Sequence, residues 1–197
     1  YFQNMATSSW NLQSKISDLK FTVPPSVKPI RDKVLKFVEE EIYPIERDPT
    51  PQRIYALQQK AKAQGLWALG HPKEIGGQGM PFRDYIFVNE VQGRSEVAQA
   101  VLGTHSLQDS LMLHNHASPE IKRRYLSDVV AANIYPSFAM TEPDIVSSDP
   151  TGIQTTAKLS ADGTEWILNG RKWWTSNAAV AAFTSVMCRT EFDAKSN

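Results

Sequence analysis

From Ser26 onward, apolar residues recur three or four positions apart. Val27, Ile30, Val34, Val38 and Ile42 fall on one face of a helix, which Pro44 and the Asp48-Pro49-Thr50-Pro51 cluster bring to an end. Thr50 then reads as an N-cap, with Pro51 at the first helical position and Gly65 as the stop. Ile54, Leu57 and Ala61 form the buried stripe between them. "HPKEIGGQGMP", His71 to Pro81, breaks the period and reads as a loop. Helices are expected over 82–94 and 96–113, the second rich enough in Ala, Val and Leu to be buried. Ser118-Pro119-Glu120 repeats the cap-and-proline signal ahead of the stripe Ile121, Tyr125, Val129. Five helices on short connections imply a helical layer.

The period then drops to two. Ile153, Thr155, Ala157 and Leu159 alternate with polar neighbours, and Asp162-Gly163 and Asn169-Gly170 are tight-turn dipeptides of the hairpin kind. Val180 to Arg189 is a further strand candidate, so the pattern predicts an antiparallel meander. The fold class is therefore α+β, in three stretches. Residues 1–25 are a tag remnant (Tyr1-Phe2-Gln3, with Asn4 as a scar before Met5) and a polar arm. Residues 26–132 are an α-helical N-terminal domain, and residues 133–197 the first part of a β domain. So few aromatic-rich strands need a second layer to cover them, which the helices or a longer parent chain would provide.

Composition narrows the function. Twenty-one basic residues balance 21 acidic ones, which removes the electrostatic reason to expect nucleic acid as a partner. No apolar run is long enough for a membrane span, and no signal-peptide core is visible, so a soluble chain is expected. Cys188 is the only cysteine, which suits a reducing compartment.

Several tempting chemistries do not hold up. His114 and His116 are two apart and point to different sides of a helix, so no metal site is expected. Gly76 to Gly79 lacks the preceding strand and third glycine of a dinucleotide fingerprint and reads as a turn. Glu142, Asp144 and Asp149 stand among Ser, Thr and Pro, where acids more often cap and turn the chain than catalyse. The tryptophans are more suggestive. Trp166, Trp173 and Trp174 lie within nine residues, and on a strand Trp173 and Trp174 would face opposite ways, with Ser176 on the side of Trp174. The simple reading is core packing. The functional one is a wall for a flat aromatic ligand. Thr141, Ser147 and Ser148 add neutral donors beside that wall, which suits a carbonyl-rich heterocycle carrying phosphates.

"FAMTEPDIVSSD", followed about two dozen residues later by "LNGRKWWTSN", resembles the signature region of the acyl-CoA dehydrogenases. "HPKEIGGQG" is similar to that family's Pro-Glu-x-x-Gly-Gly-x-Gly loop, and "SPEIKRRYL" to the segment before its β domain. Ser-Ser-Asp after Thr-Glu-Pro resembles the subgroup of members ten and eleven. The resemblance spans roughly Ser26 to Arg189 and implies FAD as cofactor, an acyl-CoA thioester as substrate and α,β-desaturation as the reaction. Phe138, Met140 and Thr141 would line the flavin, with Thr141 bonding its pyrimidine edge. Ser147 and Ser148 would lie near the pyrophosphate, Ser148 also touching acyl-CoA. Trp174 would flank the isoalloxazine and Ser176 would bond near its N5 atom.

The resemblance also implies electron-transfer flavoprotein as acceptor, a homo-oligomer (dimer or tetramer), and a role in fatty-acid β-oxidation. The location would be intracellular: mitochondrial or peroxisomal in a eukaryote, cytoplasmic in a bacterium. The family's glutamate base comes from a C-terminal helical domain, so the base is expected beyond Asn197, no catalytic residue is named here, and this piece alone is expected to be inactive. An oxidase of the same fold, a nucleic-acid-associated flavoprotein and a non-catalytic interaction module are the alternatives. Asp144-Ile145-Val146 replaces the Gly-rich run of many members, and Trp173-Trp174-Thr175-Ser176 replaces Trp-Ile-Thr. Either indole can then be the flavin neighbour, and alternation with Ser176 selects Trp174.

Overall fold

The computed structural model describes residues 22–190. The expected tag remnant and most of the arm lie outside the described residues, as does the end of the expected β domain.

Helix α1 (Lys28–Phe37) continues through a π turn, Val38–Ile42, and stops at the short 3-10 turn holding Pro44. Val34, Val38 and Ile42 are fully buried, as their spacing requires, and burying each contributes about 1.5–3 kcal/mol. Thr50 caps α2 (Pro51–Ala63) by accepting from the Arg53 amide. At its end the Leu66 amide donates to Ala61 O at 2.9 Å and the Gly65 amide to Lys62 O at 3.1 Å, the paired bonds of a Schellman stop. α3 (Phe82–Gln92) supplies buried Tyr85, Val88 and Val91 to the same core.

The helix expected over 96–113 is two helices, α4 (Glu96–Val101) and α5 (Leu107–His116). Gly103 breaks it at φ 76°, and a Cβ there would lie 2.9 Å from the Trp67 ring. Helical periodicity runs through such a break undetected, because the glycine is placed by a tertiary contact. The turn that follows brings polar groups inside. His71 Nε2 lies 3.3 Å from Ser106 Oγ, while Tyr85 Oη lies 2.9 Å from Gln92 Oε1 and 3.0 Å from Thr104 Oγ1, whose hydroxyl donates to Gln92 Oε1 at 2.6 Å.

Ser118 caps α6 (Pro119–Ile121), which a π turn, Lys122–Leu126, joins to α7 (Ser127–Ala131). Trp67 Nε1 donates to Val130 O at 3.1 Å and Lys62 Nζ to Ala131 O at 3.0 Å, with the ammonium 4.3 Å from the indole centroid. This clamp fixes where the helical layer releases the chain into its first strand.

The β region departs from a simple meander. β2 (Thr156–Leu159) and β3 (Trp166–Asn169) pair antiparallel, but β1 (Pro136–Ala139) and β4 (Phe183–Val186) pair in parallel. More than forty residues separate β1 from β4, ample for a crossover, whereas sequence alternation carries no information on strand direction. A bridge from Thr156 to Arg189 links the two pairs. The turn at Asp162-Gly163 forms as expected, with Gly163 at φ 72° and Asp162 Oδ1 accepting from Ser160 and Thr164. Asn169-Gly170 makes no hairpin, since residues 170–176 form no strand. Tyr125 against Phe183 (4.7 Å between centroids) and His105 against Tyr135 (5.3 Å) join helices to strands. All four residues of β3 are exposed, Trp166 among them.

Candidate functional site

β1 delivers the chain to the site. Ser137 and Ala139 are buried on one face, so Phe138 and Met140, both half-buried, lie on the other. Beside β1 and its extension to Glu142 runs the irregular segment 171–176, in the opposite direction. Ser137 Oγ donates to Ser176 O at 2.7 Å, Lys172 Nζ to Met140 O at 2.8 Å, and the Trp173 amide to Thr141 O at 3.1 Å.

Thr141 Oγ1 is 2.6 Å from Ser148 Oγ. Ser147 (φ 58°) and Ser148 (φ 55°) are consecutive left-handed residues, and Trp174 (φ 56°) is another. Each such non-glycine residue costs on the order of 1–3 kcal/mol and persists only where its surroundings over-determine it, a pattern that concentrates at functional sites. Three of the seven nominated residues carry this strain. The Trp173 and Trp174 rings make a tilted contact, centroids 5.3 Å apart and planes inclined by 39°, with Trp174 78% exposed.

The structure brings some of the nominated residues together and leaves others apart. Thr141 and Ser148 come together, and the indole pair adjoins them through Trp173. Phe138 and Met140 share one strand face. Ser147 is exposed on the strained turn, and Ser176 is exposed with only its carbonyl bonded. The alternation that selected Trp174 over Trp173 is absent, because the segment is not a strand and the two rings touch instead of facing apart. Trp173 is the indole whose backbone meets Thr141.

Of the three acids, Asp149 and Glu142 accept from backbone amides as turn former and cap, and Asp144 does neither. Asp149 accepts from the Thr151 amide and hydroxyl, and exposed Asp144 pairs with Arg171 at 3.2 Å. Glu142, 4% exposed, accepts from the amides of Gln154 (2.7 Å) and Thr155 (2.9 Å) and from Lys172 Nζ (2.9 Å). Burial pushes its carboxyl upward, but the donors of Thr155, Lys172 and Gln154 outweigh this and hold it at about 2. Sequence reasoning missed Lys172, whose only visible signal is a cation between an asparagine-glycine pair and two tryptophans. His71, 1% exposed, is held down to about 4 by burial and by neighbouring His105. Among the described residues no cluster of His, Cys, Asp and Glu could hold a metal, and no helix is long and apolar enough to cross a membrane.

The residue types present suit a flat, polar-edged cofactor: two exposed broad rings stand on a segment whose backbone bonds that of Thr141, and the Thr141 hydroxyl meets that of Ser148.

Comparison with known proteins agrees. Residues 25–133 match the family model for the acyl-CoA dehydrogenase N-terminal domain, and residues 137–197 that for its middle domain. Acyl-CoA dehydrogenase family member 10 of Mus musculus is 33% identical over 171 residues, covering 77% of this chain and 16% of that protein. A putative acyl-CoA dehydrogenase from Mycobacterium abscessus superposes with a TM-score of 0.71 at 30% identity, covering 79% of this chain and 43% of that one. An acyl-CoA dehydrogenase from Bacillus anthracis solved in complex with FAD superposes with a TM-score of 0.61 at 26% identity, covering 86% of this chain and 30% of that one. The chain thus spans less than half the length of each of these relatives.

Proposed function

The chain belongs to the acyl-CoA dehydrogenase family, and from that premise we propose that it forms the helical and flavin-facing parts of an FAD-dependent enzyme that desaturates acyl-CoA thioesters. The observation that carries this reading is the 3.1 Å bond from the Trp173 amide to Thr141 O, which joins the segment bearing the exposed indole pair to the residue whose hydroxyl meets that of Ser148. Residues 26–132 would form the helical domain, with the start of the β domain from residue 133 on.

Thr141 bonds the polar edge of the flavin and Phe138 and Met140 support it. The indole pair covers the ring face. Ser147 and Ser148 would serve the pyrophosphate, Ser148 would also contact acyl-CoA, and Ser176 would bond near the flavin N5. Bound FAD supplies the acceptor for the hydride that leaves the β-carbon of the thioester. A carboxylate takes the α-proton, and it is not Glu142. Three donors saturate that group and its pKa of about 2 makes it a poor base near neutrality. Electron-transfer flavoprotein as acceptor and a homo-oligomeric assembly complete the proposal.

The test is the visible spectrum of the purified protein loaded with FAD and dialysed, before and after a saturated acyl-CoA. Retained yellow colour is expected. Bleaching by the thioester would show that the reacting groups are all present, and a colourless protein after loading would refute the flavin site.

A further inference from the structure

We propose that Lys172 is a positioning residue: its buried ammonium sets the register between residues 140–142 and 172–173 and thereby the placement of the Trp173–Trp174 pair against Thr141. This rests on the flavin reading above for its purpose, but not for its geometry.

Lys172 Nζ straddles Thr141. It donates to Met140 O at 2.8 Å on one side and to Glu142 Oε1 at 2.9 Å on the other, while the next amide, that of Trp173, donates to Thr141 O. Two consecutive residues thus hold three consecutive ones, and a slip of one position would break all three bonds at once. The clasp extends further. Glu142 holds the Gln154 and Thr155 amides, and Gly170 packs so tightly on Thr155 that a Cβ would stand 2.3 Å from its Oγ1. Three chain segments that form no common strand are therefore tied at one point.

A structural role alone would not require charge here. The Lys172 and Glu142 side chains are 10% and 5% exposed, and a buried ion pair of this kind is often no more stabilising than well-packed apolar residues. What it adds is a single permitted geometry. That matters at this place, because segment 171–176 has no ladder of strand hydrogen bonds to align it and carries the left-handed Trp174.

The experiment compares the whole chain with Lys172→Met and Lys172→Arg. Three readouts are taken: the exciton couplet of the touching indoles in circular dichroism, the helical far-UV signal, and FAD affinity by quenching of flavin fluorescence. A Trp174→Phe variant identifies the couplet. The expected result for Lys172→Met is loss of the couplet and about tenfold weaker FAD binding, with the helical signal unchanged. Lys172→Arg, which keeps the charge, is expected to recover part of both. A Lys172→Met protein that keeps its couplet, or loses it only in proportion to its helical signal, overturns the proposal. Should that variant fail to fold, Lys172→Gln is read in its place, and a folded Lys172→Gln protein with unaltered couplet and FAD affinity does the same. If the unmutated chain takes up no FAD, the flavin reading fails, while the couplet still decides the role of Lys172.

Discussion

Replacing Glu142 by glutamine should weaken the fold most at neutral pH and progressively less toward acid. The carboxylate accepts three hydrogen bonds, one from an ammonium, and its pKa falls from 4.5 to about 2. Taken whole, that shift corresponds to at most about 3 kcal/mol. Glu142 is 4% exposed but borders a surface hollow with Asp144, Gln154 and Arg171, so solvent screening reduces the charge-dependent part to about 1–2 kcal/mol. Because the folded pKa is the lower one, this stability is fully present above the unfolded value of 4.5 and is lost as pH falls toward 2. The glutamine oxygen can keep one backbone amide, but Lys172 then stays buried with Met140 O as its remaining acceptor. Removing one partner of a buried pair costs about 3 kcal/mol or more, which sets the expected loss at pH 7. Urea denaturation followed by tryptophan emission, for both proteins at pH 7, 5 and 3, measures the difference. The gap should narrow by about 1 kcal/mol at pH 3. A gap that stays constant across this range would refute the assignment of Glu142 as an ionised cap.

Gly103→Ala should destabilise the protein by about 2–4 kcal/mol in thermal or chemical melts, because it combines a left-handed backbone with a 2.9 Å clash on the Trp67 ring; a change within error would mean the α4–α5 break is held by something else. His71 is kept neutral in the fold, so stability present above its ordinary 6.5 is lost as pH falls toward about 4, by up to about 3 kcal/mol. His71→Gln should flatten that part of the stability–pH curve, and an undiminished slope would point to another group. Trp67→Phe leaves Val130 O without its donor and should cost about 1–3 kcal/mol, while the α2 cap at Thr50, distant from it, stays unaffected in a double-mutant cycle.

Local chemistry made the helical region readable. Thr50, Ser118 and Gly65 act within their own turns, and Val34, Val38 and Ile42 face inward because a helix puts every third or fourth residue on one side. Candidate site residues were legible for a different reason. Thr141, Ser148 and the paired tryptophans could be nominated by residue type alone, because hydroxyls and broad rings declare their chemistry without coordinates. Their mutual arrangement was not. Trp173 and Trp174 lie in a segment that alternates on paper like a strand, yet it is held by side chains and single amides from residues some thirty positions earlier. No local period records such bonds.

Sequence by itself therefore determined the order of helices before strands, the capped helix ends, the Asp162-Gly163 turn and the family signature, since each depends on neighbours within a few residues. Tertiary structure alone decided the break at Gly103, the parallel pairing of β1 with β4, and the clasp of Lys172 on Met140 and Glu142. These rest on contacts between residues that are far apart along the chain, where the free energy of close packing and buried charge, not backbone propensity, selects the arrangement.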